Sequence, residues 1–138
     1  MKPLSLTALL AALLVSSAVP AATLQVKVDG VASDKGTLRI AVCDQASFLK
    51  KCARGALVPA KAGSVTVDVP DLPAGAWAVM AYHDENGNRK LDRNAMGIPT
   101  EGFGFSNGAT ARSGPPAFAK TAVTVGATTA VAAISLQY

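Results

Sequence analysis

A single histidine, His83, and two cysteines, Cys43 and Cys52, are all the imidazole and thiol groups in this 138-residue chain. A transition-metal site would therefore have to draw on carboxylates as well. Eight residues separate the cysteines rather than the two of a redox-active dithiol. Neither Ser106 nor Ser113 sits in a nucleophile-elbow pattern, so a Ser–His–Asp arrangement has no local signature. Charged residues are only 16% of the chain, and the 13 basic and 9 acidic ones are scattered rather than striped. Nucleic-acid binding needs a concentrated basic face, so no nucleic-acid partner is expected. Beyond the N-terminal end no apolar run reaches the roughly 18 residues of a membrane helix, and the chain is expected not to span a bilayer. Internal repeats are also absent.

The N-terminal end has the pattern of an export leader. Lys2 is the positive region, Leu4 to Val15 the short apolar region, and Ser16 to Ala22 the small-residue exit. Val19 and Ala21 suit the −3 and −1 positions, which places cleavage after Ala21; cleavage after Ala22 would put Pro20 at −3. No cysteine near the cut offers a lipid anchor. Residues 1–21 are thus expected as a signal peptide and residues 22–138 as one domain, secreted or periplasmic. Removing Lys2 leaves 12 basic against 9 acidic residues, a formal +3. In an oxidising compartment Cys43 and Cys52 are expected to form a disulfide, closing a loop that stabilises the fold by roughly 2.5–3 kcal/mol.

Period-2 alternation dominates the rest of the chain, and helix signals are nearly missing. Leu24, Val26 and Val28 share one face, as do Val65, Val67 and Val69. Thr37–Cys43 makes a further strand, and the mostly apolar run Gly75–Tyr82 predicts a central one. Thr121–Val125 and Thr129–Leu136 are expected to close the chain as a hairpin around Gly126-Ala127. The fold class predicted is all-β, a two-layer antiparallel sandwich of immunoglobulin-like or prealbumin-like type with one long loop. That loop runs from Asp84 to about Ala119 without periodicity, and loops so long are usually functional or mobile.

Within it, oxygen donors fall at Asp84, Asn86, Asn88 and Asp92, with the Lys90 carbonyl between them. Counted from Asp84 these are positions one, three, five, nine and seven of a calcium loop, whose hard cation prefers such donors. Arg89 stands where glycine is usual at position six. Ala95 replaces the carboxylate of position twelve, which Glu101 would have to supply by folding back. Arg89, Lys90 and Arg93 balance the local acids, so a Ca²⁺ site here would be weak, with a dissociation constant of about 10⁻⁴–10⁻³ M. An Asn86-Gly87 turn with solvated charges accounts for the same residues, and both readings stay open.

Phe103 and Phe105 stand two apart in a glycine-rich segment, so both rings point the same way if the segment is extended. One reading makes them, with Phe118, a plug for the open end of the sandwich. The other makes Phe103 and Phe105 an aromatic platform which, with Ser106, Asn107 and Glu101 beside it, suits a sugar ring or a peptide. A hydrolase would use Glu101 and Asp92 as a carboxylate pair, or His83, but nothing in the sequence fixes their separation. No enzymatic activity is expected.

The composite Tyr82-His83-Asp84-Glu85-Asn86-Gly87-Asn88, Lys90-Leu91-Asp92, Gly97 to Asn107 and Gly114-Pro115-Pro116-Ala117-Phe118 resembles an exported bacterial family, domain of unknown function 2141. The likeness covers essentially the whole mature chain. It implies an exported single-domain protein and brings no activity with it. Asp84, Asn86, Asn88, Asp92 and Gly97 also look like the calcium loop of the repeated sandwich domains in Gram-positive surface adhesins, departing at Arg89 and Ala95; that likeness implies a prealbumin-like sandwich. The expected role is a non-enzymatic binding or envelope-associated module whose partner is an envelope component, carbohydrate or protein. A structural accessory protein without a ligand is the alternative.

Overall fold

A computed structural model describes residues 15–16 and 21–138. The expected leader, residues 1–21, lies almost entirely outside the described residues. Alternation becomes structure directly in β1 (Ala22–Val31), where Leu24, Val26 and Val28 are fully buried. β1 is the centre of a three-stranded sheet. On one side it pairs antiparallel with β4 (Gly63–Leu72), setting Val26 opposite Val67 and Val28 opposite Val65. On the other it pairs in parallel with β8 (Ala130–Ser135), whose Ala132 and Ile134 point inward.

The second sheet is built on β5 (Gly75–Asp84), the apolar run expected to be central. β2 (Thr37–Cys43) covers one edge of β5 from Cys43 opposite Ala78 to Thr37 opposite Asp84, and β3 (Arg54–Pro59) lies outside β2. Two short strands share the other edge of β5: β7 (Ala122–Val125) pairs with Gly75–Ala78, and β6 (Phe103–Phe105) with Met80–Tyr82. Leu38, Ile40, Val42, Val79 and Ala81 turn inward against Leu24, Val26, Val28 and Ile134, making one sandwich core.

The all-β two-layer reading holds, with two differences in pairing. First, Thr121–Val125 and Thr129–Leu136 are not a hairpin: β7 joins β5, while β8 crosses to the other sheet and lies parallel to β1. The connection of residues 126–129 spans at most about 13–14 Å when extended, enough to cross the roughly 10 Å between stacked sheets. Alternation marks a strand without naming its neighbour. Second, the five-stranded sheet gains the strand β3, whose alternation is broken by Gly55 and Pro59 and whose Leu57 is exposed. The disulfide Cys43–Cys52 is present, with Cα atoms 5.0 Å apart, and ties the end of β2 to the start of β3. Among the described residues no helix is long and apolar enough to cross a membrane.

One close approach couples the two sheets. A Cβ at Gly104 of β6 would lie 2.6 Å from the Ser135 carbonyl oxygen and 2.7 Å from an Ile134 methyl group, so only glycine lets β6 pack against β8. Gly104→Ala is expected to lower the unfolding free energy by about 1–3 kcal/mol through overpacking. Gly126→Ala, where nothing lies within 4 Å, should stay within about 0.5 kcal/mol of the parent. Urea unfolding of the two variants checks the contrast.

Candidate functional site

Side chains alternate across a strand, so the residues of β2, β5 and β6 that do not face the core form an outer surface. Its pairing register sets them in two rungs. Arg39 of β2, Tyr82 of β5 and Phe103 of β6 make one; Ala41, Met80 and Phe105 make the next. The repeat Gly102-Phe103-Gly104-Phe105 now has a physical reading. Its glycines face inward, where a Cβ at Gly102 would meet the Tyr138 ring at 2.4 Å, and its phenylalanines face outward. The two rings meet edge to face, 6.3 Å apart.

This outer surface is only partly covered. Residues of the long excursion after β5 (Leu91, Arg93, Ile98, Pro99) rise on one side. Ala111 to Pro115 close another, and Leu49 and Lys50 of the disulfide-closed loop complete the rim. Together they border an open cleft of about 940 Å³, near the upper end of the range for small-molecule sites. Phe103 and Phe105 are therefore neither an exposed platform nor part of the sandwich interior; they line the cleft. Phe118 does not join them and packs edge to face on Phe48 at 5.7 Å.

The excursion holds its shape through polar contacts. Asp84, fully buried, ends β5 and accepts the Arg89 N–H at 2.9 Å, while Arg39 Nε stands 3.6 Å from the same Oδ2. Arg89 takes φ 65°, the left-handed conformation for which glycine is the usual choice. Asp92 is the hub. Its two carboxylate oxygens accept the Asn86 and Asn88 amides at 2.6 Å each, and its own N–H donates to Glu101 at 3.1 Å. The Thr100 N–H then donates to the Asp92 carbonyl at 2.8 Å. Asn94 closes the tip by accepting the Met96 and Ile98 amides.

The residues expected from sequence are thus distributed unevenly. Asp84, Asn86, Asn88, Asp92 and Glu101 belong to one network, with Lys90 exposed beside it, donating its N–H to Asn88. In that network the two asparagines direct nitrogen, not oxygen, at Asp92. Among the described residues no three His, Cys, Asp or Glu side chains are grouped so as to hold one metal ion. Ser106 is fully buried; it accepts the Val79 N–H at 3.1 Å and donates to the Thr121 carbonyl at 2.5 Å. Asn107 spends its amide on the Ala122 carbonyl at 2.9 Å. Glu101 is buried with its carboxylate on the Asp92 N–H, so none of the three polar residues expected beside the rings lines the cleft.

His83 points to the opposite side of β5 from Asp84. A carbonyl only accepts, so Nε2 carries its proton toward Lys35 O at 2.7 Å and Nδ1 accepts the Tyr138 hydroxyl at 3.2 Å. The Ala32 N–H completes this chain by donating to the same hydroxyl at 2.9 Å. The ring is fully enclosed, and its hydrogen bonds go to Lys35 and Tyr138 rather than to Asp92 or Glu101. Sequence reasoning missed Arg39, Met80, Tyr82, Leu91, Arg93, Ile98 and Arg112. The strand phase of Thr37–Cys43 and Gly75–Tyr82 put Arg39, Met80 and Tyr82 on an outer face, but only the pairing of β6 with β5 brings them beside Phe103 and Phe105, and no pattern marked the loop residues.

Burial pushes the Tyr82 hydroxyl above its ordinary value near 10, with the Arg39 charge acting in the opposite direction. The amides of Asn88 and Asn86 hold the Asp92 carboxyl below its ordinary value near 3.8. With the folded value depressed, the unfolded chain takes up the proton first; the stabilisation is present above pH 3.8 and is lost as pH falls through the folded value. Acid titration followed by amide NMR should therefore show the 86–101 segment loosening below about pH 4, and Asp92→Asn should remove that transition. An unchanged acid transition in the variant would contradict the hub.

Residues 26–132 match the model of the family described as "Uncharacterized protein conserved in bacteria (DUF2141)". No curated protein and no solved structure matches the chain. With most of its length matched, and the excursion and both phenylalanines inside the match, the chain belongs to that bacterial family.

Proposed function

We propose that the protein is an exported, non-enzymatic binding module that takes a small, largely apolar component of the cell envelope into the cleft over β2, β5 and β6. One observation carries this reading: a sheet face that would otherwise meet water is apolar at Met80, Phe103 and Phe105 and is walled by three separate loops. A structural accessory protein would have no need to hold that volume open. The leader pattern and the Cys43–Cys52 disulfide support export to an oxidising compartment. The neutral, solvatochromic dye Nile red should bind at one site with a blue-shifted emission. Met80→Lys, which places a charge in the middle of the floor, should abolish that signal while the unfolding midpoint moves little. Dye binding that is absent, or the same in Met80→Lys, would contradict the reading.

A weak Ca²⁺ site in the 84–101 loop is a second reading, favoured by the buried Asp84 Oδ1, which has no hydrogen-bond partner. The donor set of carboxylates and amide oxygens suits a hard cation, and Arg89 adopts the conformation position six requires. Asn86, Asn88 and Asp92 would have to exchange their mutual hydrogen bonds for the ion. At ten times the dissociation constant, calcium should add about 1.4 kcal/mol to stability. Thermal unfolding in millimolar calcium against chelator checks this, and equal midpoints would rule the site out at that concentration.

A further inference from the structure

The charged side chains that line the cleft all have one sign: Arg39, Lys50, Arg93 and Arg112. Asp84, Asp92 and Glu101 are held in the loop network and do not line the cleft, though their charges reach the Tyr82 hydroxyl in its floor. Among the described residues no acid pairs with Lys50, Arg93 or Arg112. Such a cavity, apolar in its floor and positive at its wall, repels cations and favours a ligand with one anionic end.

Arg39 locates that end. Its side chain is 27% exposed, and its nearest acid, Asp84, stands at 3.6 Å, too far for a hydrogen bond. The Nε atom is buried beside Asp84, so the donors within a ligand's reach are the two terminal NH2 groups, which make no hydrogen bond among the described residues. A guanidinium with free donors is matched by a carboxylate, which can accept two parallel hydrogen bonds. Asp84 already offsets part of the Arg39 charge, so a single negative charge suits the position better than a phosphate dianion. Tyr82 and Phe103 lie on the same rung as Arg39, and Met80 and Phe105 on the next, so an apolar body attached to the carboxylate would run across the floor.

We infer that the cleft binds a free amphipathic monocarboxylate, a medium-chain fatty acid or its aryl equivalent, with the carboxylate on Arg39. This rests on the cleft being the binding site, and the test separates the two claims. Calorimetric titrations would compare decanoate, decanol, decyl phosphate and decyltrimethylammonium, all below micellar concentrations, with sedimentation against phosphatidylglycerol vesicles alongside. Decanoate should bind at least tenfold more tightly than decanol and decyl phosphate, and the cation should give no heat. Arg39→Gln should weaken decanoate tenfold or more and leave decanol unchanged. Should Arg39→Gln fail to fold, raising salt from 20 to 200 mM should weaken decanoate and not decanol.

Decanol binding as tightly as decanoate would overturn the carboxylate while leaving the cleft in place. Tighter decyl phosphate would overturn the monoanion, and vesicle binding without decanoate binding would make the occupant a membrane surface. No binding of any monomeric compound would overturn the cleft itself.

Discussion

The Asp84 carboxylate governs the shape of everything outside the core. It is fully buried at the end of the central strand, where a free charge would be costly. Its partners come from two directions, the Arg39 guanidinium on the neighbouring strand and the Arg89 N–H in the departing loop. The Arg89 N–H bond to Asp84 Oδ2 thus curls the chain back over the outer face of β5 instead of letting it run on into solvent, while Oδ1 keeps no partner. Asp92 then fixes the return limb by gathering Asn86, Asn88, Thr100 and Glu101 around one residue. The cleft is a by-product of that curl: a wall has been built above a sheet face whose floor residues are apolar.

This arrangement divides the long excursion into parts with different work. The acidic and amide residues are internal fasteners. The apolar and basic residues between them, Leu91, Arg93 and Ile98, are the ones presented to the cleft. A segment that looks like a metal loop when only its acids are read looks like a cleft wall when the intervening residues are read as well. The sharing of Asp84 between fastener and Arg39 also means that the loop and the floor of the cleft are linked through one carboxylate.

Much of the sandwich was legible in the alternation itself. Leu24, Val26 and Val28, and the apolar run through Val79, could only form strands with a buried face. Strand partners were not legible, because alternation carries phase but not neighbours; the parallel pairing of β8 with β1 is the clearest case. For the site, the spacing of Phe103 and Phe105 correctly placed both rings on one face. What it could not provide was which strand they would join, and hence that Arg39 and Met80, more than twenty residues away in the chain, would lie beside them. Ser106 and Asn107 misled for a related reason: polar residues next to aromatic ones suggest a ligand, whereas here they satisfy the backbone of β5 and of the segment leading into β7.

Amide hydrogen exchange on the ligand-free protein tests most directly whether the excursion is a fixed wall. The side chains of Asp84, Glu101 and Asn94 accept the amides of Arg89, Asp92 and Ile98, and the Ile98 and Asp92 carbonyls accept those of Asn94 and Thr100. Those five amides should exchange far more slowly than free-coil rates, with protection lost together in Asp84→Ala. Exchange at free-coil rates across residues 86–100, with the β5 amides still protected, would mean that no wall stands over the sheet and would contradict the cleft.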